Sequence, residues 1–174
     1  LVFLQDPQER WRKAMEEVYP ALHELREHGT IRAVGVATDQ WRLLDRFVRD
    51  TEIDAVLLAG HYSVLDQSGQ PLLDRCLARG VAAILADVLP RQPEEISEDL
   101  RARRIAAVCE RYGVSLPQAA LAFPARHPAV TSVLIDAASA VEIRADAALV
   151  RQPVPAQLWR DLEEQELVTR APPS

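Results

Sequence analysis

Apolar residues fall along this chain in two rhythms. Short runs rich in valine, isoleucine and leucine occupy residues 1–4, 31–36, 53–58, 81–86 and 131–135. Runs of this length, bounded by glycine, proline and polar residues, predict β-strands. Between them, apolar residues recur at steps of three and four, as in Met15, Val18, Leu22 and Leu25, or Leu72, Leu73, Cys76 and Leu77. That spacing predicts helices with one buried face. The run 53–58 is almost purely apolar, which suits a strand covered on both sides. Repeated βα units predict an α/β fold with one parallel sheet of about five strands and helices outside it. In such a sheet the chemistry lies just past the carboxyl ends of the strands.

The punctuation supports these boundaries. Pro20 predicts a break near Tyr19 in the helix over 11–27, and Gly29, Gly80 and Gly113 each follow a helical pattern where a C′ glycine belongs. Helix resumes near Glu98 and ends at Gly113, and Ser115 then starts another that runs to about Arg126. Ser139 followed by Glu142 is a capping-box pattern opening a helix through Leu149. A last amphipathic helix carries Leu158, Trp159 and Leu162, so the domain spans 1–165 and residues 166–174 are expected to fray.

Composition narrows the function. A chain of 174 residues with 48 % hydrophobic content supports a single domain with a substantial core. Its net charge of -6 provides no basic footprint for nucleic acid or an anionic membrane surface. No transmembrane-length run or signal segment appears, and a cytoplasmic location is expected. Cys76 and Cys109 fall on helical apolar stripes and read as core thiols. The chain opens on Leu1 inside a strand-like run, so an N-terminal portion is expected to be encoded elsewhere, removed or absent.

Candidate chemistry clusters after the strands. Asp6, Asp39, Asp87 and Asp136 each follow a predicted strand and would share one acidic rim. The plainer reading makes them turn residues that cap the next helix. His61 and Tyr62 follow the third strand and offer a general base and a stacking ring. No His-x-His or His-Glu-x-x-His spacing accompanies them, and no metal is expected.

Several strings together resemble the aldo/keto reductase family, closest to its aldose and fucose dehydrogenase branch. They are Arg32-Ala33-Val34-Gly35-Val36 with Gln40-Trp41, Val56 to Gly60 with Tyr62 and Leu65-Asp66-Gln67, Ala106 to Val114, and His127-Pro128-Ala129-Val130 with Ser132-Val133. The resemblance covers residues 1–165 in the family's order and implies the later half of a (β/α)8 barrel. It also implies NAD(P)-linked oxidoreduction of an aldose, aldehyde or ketone, by a catalytic Tyr supported by Lys, Asp and His. The Asp, Tyr and Lys would come from strands this sequence does not contain, and Gln5 stands at the His position.

The cofactor positions implied by the resemblance also differ. Asp39 replaces an Asn, Asp87 lies where a Gly- or Ser-Pro turn is expected, and a short acidic segment at Glu94-Glu95 follows. The last strand leads to Asp136, with Ala138 at an arginine position, Ser139 beside it and Asp146 at an Asn position. Carboxylates at that rim oppose a dinucleotide's phosphates. Two functions follow as expectations. One is an oxidoreductase completed by a missing N-terminal part. The other is a degenerate member, a pseudoenzyme acting as a binding or scaffold protein or as a non-redox enzyme in an acidic cleft. A small carbonyl or sugar-like ligand, and a homo-oligomer or a partner segment covering open strand edges, are the expected partners.

Overall fold

The computed structural model describes residues 1–7, 11–90, 99–170 and 172. Five strands form one sheet in the order β1-β2-β3-β4-β5, every neighbouring pair parallel. They are β1 Val2–Gln5, β2 Val34–Thr38, β3 Ala55–Ala59, β4 Ala82–Ala86 and β5 Val130–Val133. The helices that join them are α1, comprising Trp11–Lys13, a π-helical turn Ala14–Val18 and Tyr19–Glu27, then α2 Trp41–Asp50, α3 Gln70–Arg79, α4 Leu100–Arg111 and α5 Leu116–Ala122. After β5 come α6 Ala140–Val150 and α7 Ala156–Glu164. The expected Glu94-Glu95 segment and the start at Glu98 lie outside the described residues, and Asp99 caps α4 through the Arg101 N–H at 2.7 Å.

Strand alternation gives the sheet two different faces. Val34, Val36, Val56, Leu58, Ala83 and Leu85 are all 1 % exposed or less and pack beneath Leu44, Phe47, Leu72 and Leu73. The opposite parity carries small residues: Gly35, Ala37, Ala55, Ala59, Ala82 and Ala86, with Leu57 and Ile84 among them. Gly35 is required there, because a Cβ would lie 2.4 Å from Phe3 Cε1 and 2.9 Å from the Ala55 carbonyl oxygen.

Two local features depart from the sequence reading. Pro20 does not break α1. It has no N–H to donate one turn back, and the chain instead widens into the π turn, where the Tyr19 N–H bonds the Ala14 carbonyl. The second strand begins three residues later than expected, and a carboxylate explains why. Asp54 Oδ2 accepts the Val34 N–H at 2.8 Å and Arg26 Nη1 at 2.8 Å, while the Asp54 N–H donates to the Val34 carbonyl at 2.8 Å. This clamp ties the start of β2 to the start of β3 and to the end of α1.

The tail is held at its start, over residues 166–168, while Ala171, Pro173 and Ser174 lie outside the described residues. Glu166 takes a left-handed φ of 55° after α7, and the Leu167 and Val168 N–H groups both bond the Leu162 carbonyl. The turn drives Leu167 and Val168 into the core, at 2 % and 5 % exposure. Among the described residues no helix is long and apolar enough to cross a membrane.

Two outcomes test this account. Gly35→Ala is expected to lose about 1–3 kcal/mol in urea denaturation, because the Ala55 backbone cannot retreat even if the Phe3 ring does. Burial opposes ionisation of Asp54, but the Val34 N–H and then Arg26 outweigh it and hold its carboxyl below the ordinary range. A depressed native value contributes stability above the unfolded value near 3.9 that is lost as pH falls through the native one. Asp54→Asn is therefore expected to cost about 1 kcal/mol at pH 7 and to flatten acid unfolding below pH ~4.

Candidate active site at the strand ends

The sheet register determines which side chains meet at the mouth. Gln5 aligns with Ala37 and Ala37 with Leu57, so these three lie side by side on the small-residue face. With Asp6, Thr38, Asp39, Ala59 and Asp87 they line a cavity of ≈ 380 Å³. Asp6 and Asp87 hold left-handed φ values of 44° and 55°, a conformation aspartate tolerates better than most residues. The Thr38 hydroxyl accepts the Gln40 N–H at 3.3 Å, just before α2, and donates to Asp39 Oδ1 at 3.4 Å. Three carboxylates and one carboxamide thus surround a single opening.

Asp136 does not join them. It faces a neighbouring cavity of ≈ 440 Å³ with Leu134, Ile135, Val88 and Glu142, and Asp87 is common to both. The β4–β5 pairing shifts register between Ala83 and Ile84, and β5 ends at Val133, three residues short of Asp136.

Ser139 and Ala138 begin α6, where a phosphate would find free N–H groups. Two of the groups there are already used. Glu142 Oε2 accepts the Ala138 N–H at 2.7 Å, and Ser139 Oγ accepts the Glu142 N–H at 3.1 Å. The capping box read from the sequence is present, and it places a carboxylate where a phosphate oxygen would sit. Asp146, farther along α6, is half-buried and adds no positive charge.

His61 has a left-handed φ of 59° directly after Gly60 at 70°. Its Nδ1 lies 3.0 Å from Ser68 Oγ and 3.3 Å from Asp66 Oδ2. Both contacts use one nitrogen, so this is not the two-sided relay of a nucleophilic triad. His61 is absent from the lining of either mouth cavity.

Tyr62 requires correction as a site residue. The turn at Gly60 and His61 sends it inward to 2 % exposure, 5.2 Å from the Phe123 ring and 5.8 Å from that of His127. Burial pushes its hydroxyl up to about 12, so it is a neutral core group. The thiols behave likewise, Cys76 raised to about 12 and Cys109 to about 11 by burial. Among the described residues no group of three or more His, Cys, Asp or Glu could hold a metal ion.

Two polar anchors escaped the sequence reading. Arg101 donates to the Leu65 carbonyl, to Gln67 Oε1 at 2.7 Å and to the Leu167 carbonyl at 2.6 Å, tying the loop after β3 to the end of the chain. His127 is fully buried, its Nδ1 accepting the Ala129 N–H at 3.2 Å and its Nε2 3.1 Å from Asp74. The accepting Nδ1 fixes the tautomer with hydrogen on Nε2. An arginine in an arginine-rich helix start gives no sequence signal for such a role.

Comparison with known proteins agrees with this architecture. The sequence model of the aldo/keto reductase family matches residues 1–166. A pyridoxal 4-dehydrogenase from Microbacterium luteolum is 33% identical over 87% of this chain and 49% of its own length. A D-threo-aldose 1-dehydrogenase from a Pseudomonas species is 30% identical over 97% of this chain and 56% of its own. The chain therefore spans about half the length of these curated relatives. An aldo-keto reductase of Bacillus halodurans in its holo form superposes with a TM-score of 0.70 at 20% identity, over 90% of this chain and 57% of that one. An aldose reductase from Giardia lamblia gives 0.60 at 16% identity, over 87% of this chain and 50% of that one.

The placement of Tyr62 has a measurable consequence. A raised native value means stability present below the unfolded value of 10.0 and lost as pH climbs from there through about 12. Tyr62→Phe is expected to fold normally and to remove that part of the alkaline loss, read as urea midpoints between pH 9 and 12. An alkaline limb that Tyr62→Phe leaves unchanged would contradict the burial of this hydroxyl.

Proposed function

The chain belongs to the aldo/keto reductase family, and from that premise we propose that these 174 residues form part of an oxidoreductase barrel that performs no NAD(P)H-linked carbonyl reduction on its own. The family chemistry is hydride exchange between a nicotinamide and a carbonyl. The observation that carries the proposal is the entry to α6, where the Ala138 N–H donates to Glu142 and no arginine stands beside it. Asp6, Asp39 and Asp87 extend the negative surface across the mouth. Each carboxylate–phosphate pair opposes binding by about 1 kcal/mol at 4 Å in water, and by more where water is excluded. The residues present do not fit a dinucleotide phosphate.

The mouth suits a small polar ligand without phosphate. Gln5 can donate a hydrogen bond to a carbonyl or hydroxyl oxygen but cannot take up a proton at neutral pH. Carboxylates at Asp6 and Asp39 accept hydrogen bonds from hydroxyl or ammonium groups. The role that follows is a binding or scaffold protein, or a non-redox enzyme working in this acidic cleft, in a cytoplasmic setting. A second reading, an NAD(P)-linked oxidoreductase of aldoses or related carbonyls completed by further chain, draws support from relatives of which the match covers 49% and 56%.

Titration separates the two. NADPH and NADH are expected to produce no saturable calorimetric heat and no quenching of Trp11, Trp41 and Trp159 emission up to millimolar concentration at low salt. Low-micromolar dissociation constants for either nucleotide would overturn the proposal and favour the completed oxidoreductase. Turnover of aldehydes or aldoses with either cofactor is expected to be absent.

A further inference from the structure

The loop after β3 is tied to a distant part of the chain through one cation. Its own order is local. Ser63 Oγ accepts the Leu65 and Asp66 N–H groups at 3.2 and 3.1 Å, and the Ser63 N–H donates to the Asp66 carbonyl at 2.6 Å. Gln67 Nε2 donates to the Ser63 carbonyl at 2.6 Å, and Asp66 Oδ1 accepts the Ser68 N–H at 2.8 Å. The loop stands at the mouth end of the sheet, where the Gly60 N–H bonds the Ala86 carbonyl, next to the Asp87 that lines both mouth cavities. Far along the chain, the turn at Glu166 buries Leu167 and Val168 against the core and leaves the Leu167 carbonyl as an acceptor for Arg101.

Arg101 meets both segments. From the first turn of α4 its Nη1 reaches the Leu65 carbonyl, and its Nη2 is shared between Gln67 Oε1 at 2.7 Å and the Leu167 carbonyl at 2.6 Å. All three acceptors are uncharged, so the guanidinium is held by converging dipoles, and the planar fork of arginine suits that task where the single ammonium of lysine does not. Among the described residues no hydrogen bond joins the loop to the tail directly. We infer that Arg101 makes the tail a latch for the mouth-end loop. While Leu167 and Val168 are docked, the fork is fixed between tail and loop and holds Leu65 and Gln67 in place. When the tail leaves, the fork loses its outer acceptor, the guanidinium turns to water, and the loop opens locally. Linkage makes the coupling reciprocal: a ligand that orders the loop tightens the tail, and whatever displaces the tail loosens the wall beside the acidic mouth.

Amide hydrogen exchange of the 174-residue chain, read residue by residue by NMR, tests the latch. Leu167→Ser combined with Val168→Ser undocks the tail without altering the fork. It is expected to speed exchange at Ser63, Leu65 and Asp66 about fivefold or more, while Val56 and Leu85 in the sheet keep their rates. Arg101→Met keeps the apolar stem and removes the fork, and in that background the same tail change is expected to add less than about twofold at the loop. Gln67→Leu alters only the loop side and is expected to speed exchange at Leu167 and Val168, the same coupling in reverse. Loop rates unmoved by the tail change overturn the proposal. So does an equal effect in the Arg101→Met background, which assigns the coupling to apolar packing. If the tail variant does not fold, Gln67→Leu decides alone, and unchanged tail rates overturn the latch.

Discussion

The carboxylate of Asp54 fixes the geometry on which everything at the mouth depends. It accepts the first N–H of β2 while its own backbone bonds both β2 and β4, so the starts of three strands are set by one residue. A parallel ladder has no hairpin to set its register, and a slip of one residue would exchange its two faces. With the register held, Gly35 meets Phe3 and Gln5 stands beside Ala37. The cavity at the opposite end of the strands therefore inherits its composition from a hydrogen bond four to five residues away.

At that end the electrostatic character is uniform. Aspartates follow β1, β2 and β4, and those after β1 and β4 take left-handed backbone conformations that turn the chain sharply away from the sheet. A helix start can attract anions through its N–H groups and dipole, yet here α6 is neutralised by its own glutamate. Membership of a fold family does not fix the charge of the groups that face the mouth, and here Asp6, Asp39 and Asp87 make that end of the sheet negative.

Much of this was legible in the sequence, for reasons that also explain the rest. Strand positions and the acidic positions Asp6, Asp39 and Asp87 follow from local runs of apolar residues, because strand ends are marked by what comes directly after them. The start of β2 was not legible, since its determinant lies twenty residues downstream at Asp54. Tyr62 looked like a mouth residue because it follows a strand, but two successive left-handed residues reverse the chain before it. The same blindness applies at Glu166, a non-glycine in a left-handed turn that buries Leu167 and Val168. Ser139 and Glu142 were read correctly because a capping box is encoded within four residues.

That capping box has a kinetic and thermodynamic side. Glu142 is tethered four residues from the amide it occupies, so its carboxylate is present there at an effective concentration of roughly millimolar or above. A free anion competing for the Ala138 N–H must displace this tethered carboxylate, and gaining affinity at that one amide would mean loosening the entry to the helix at the same time.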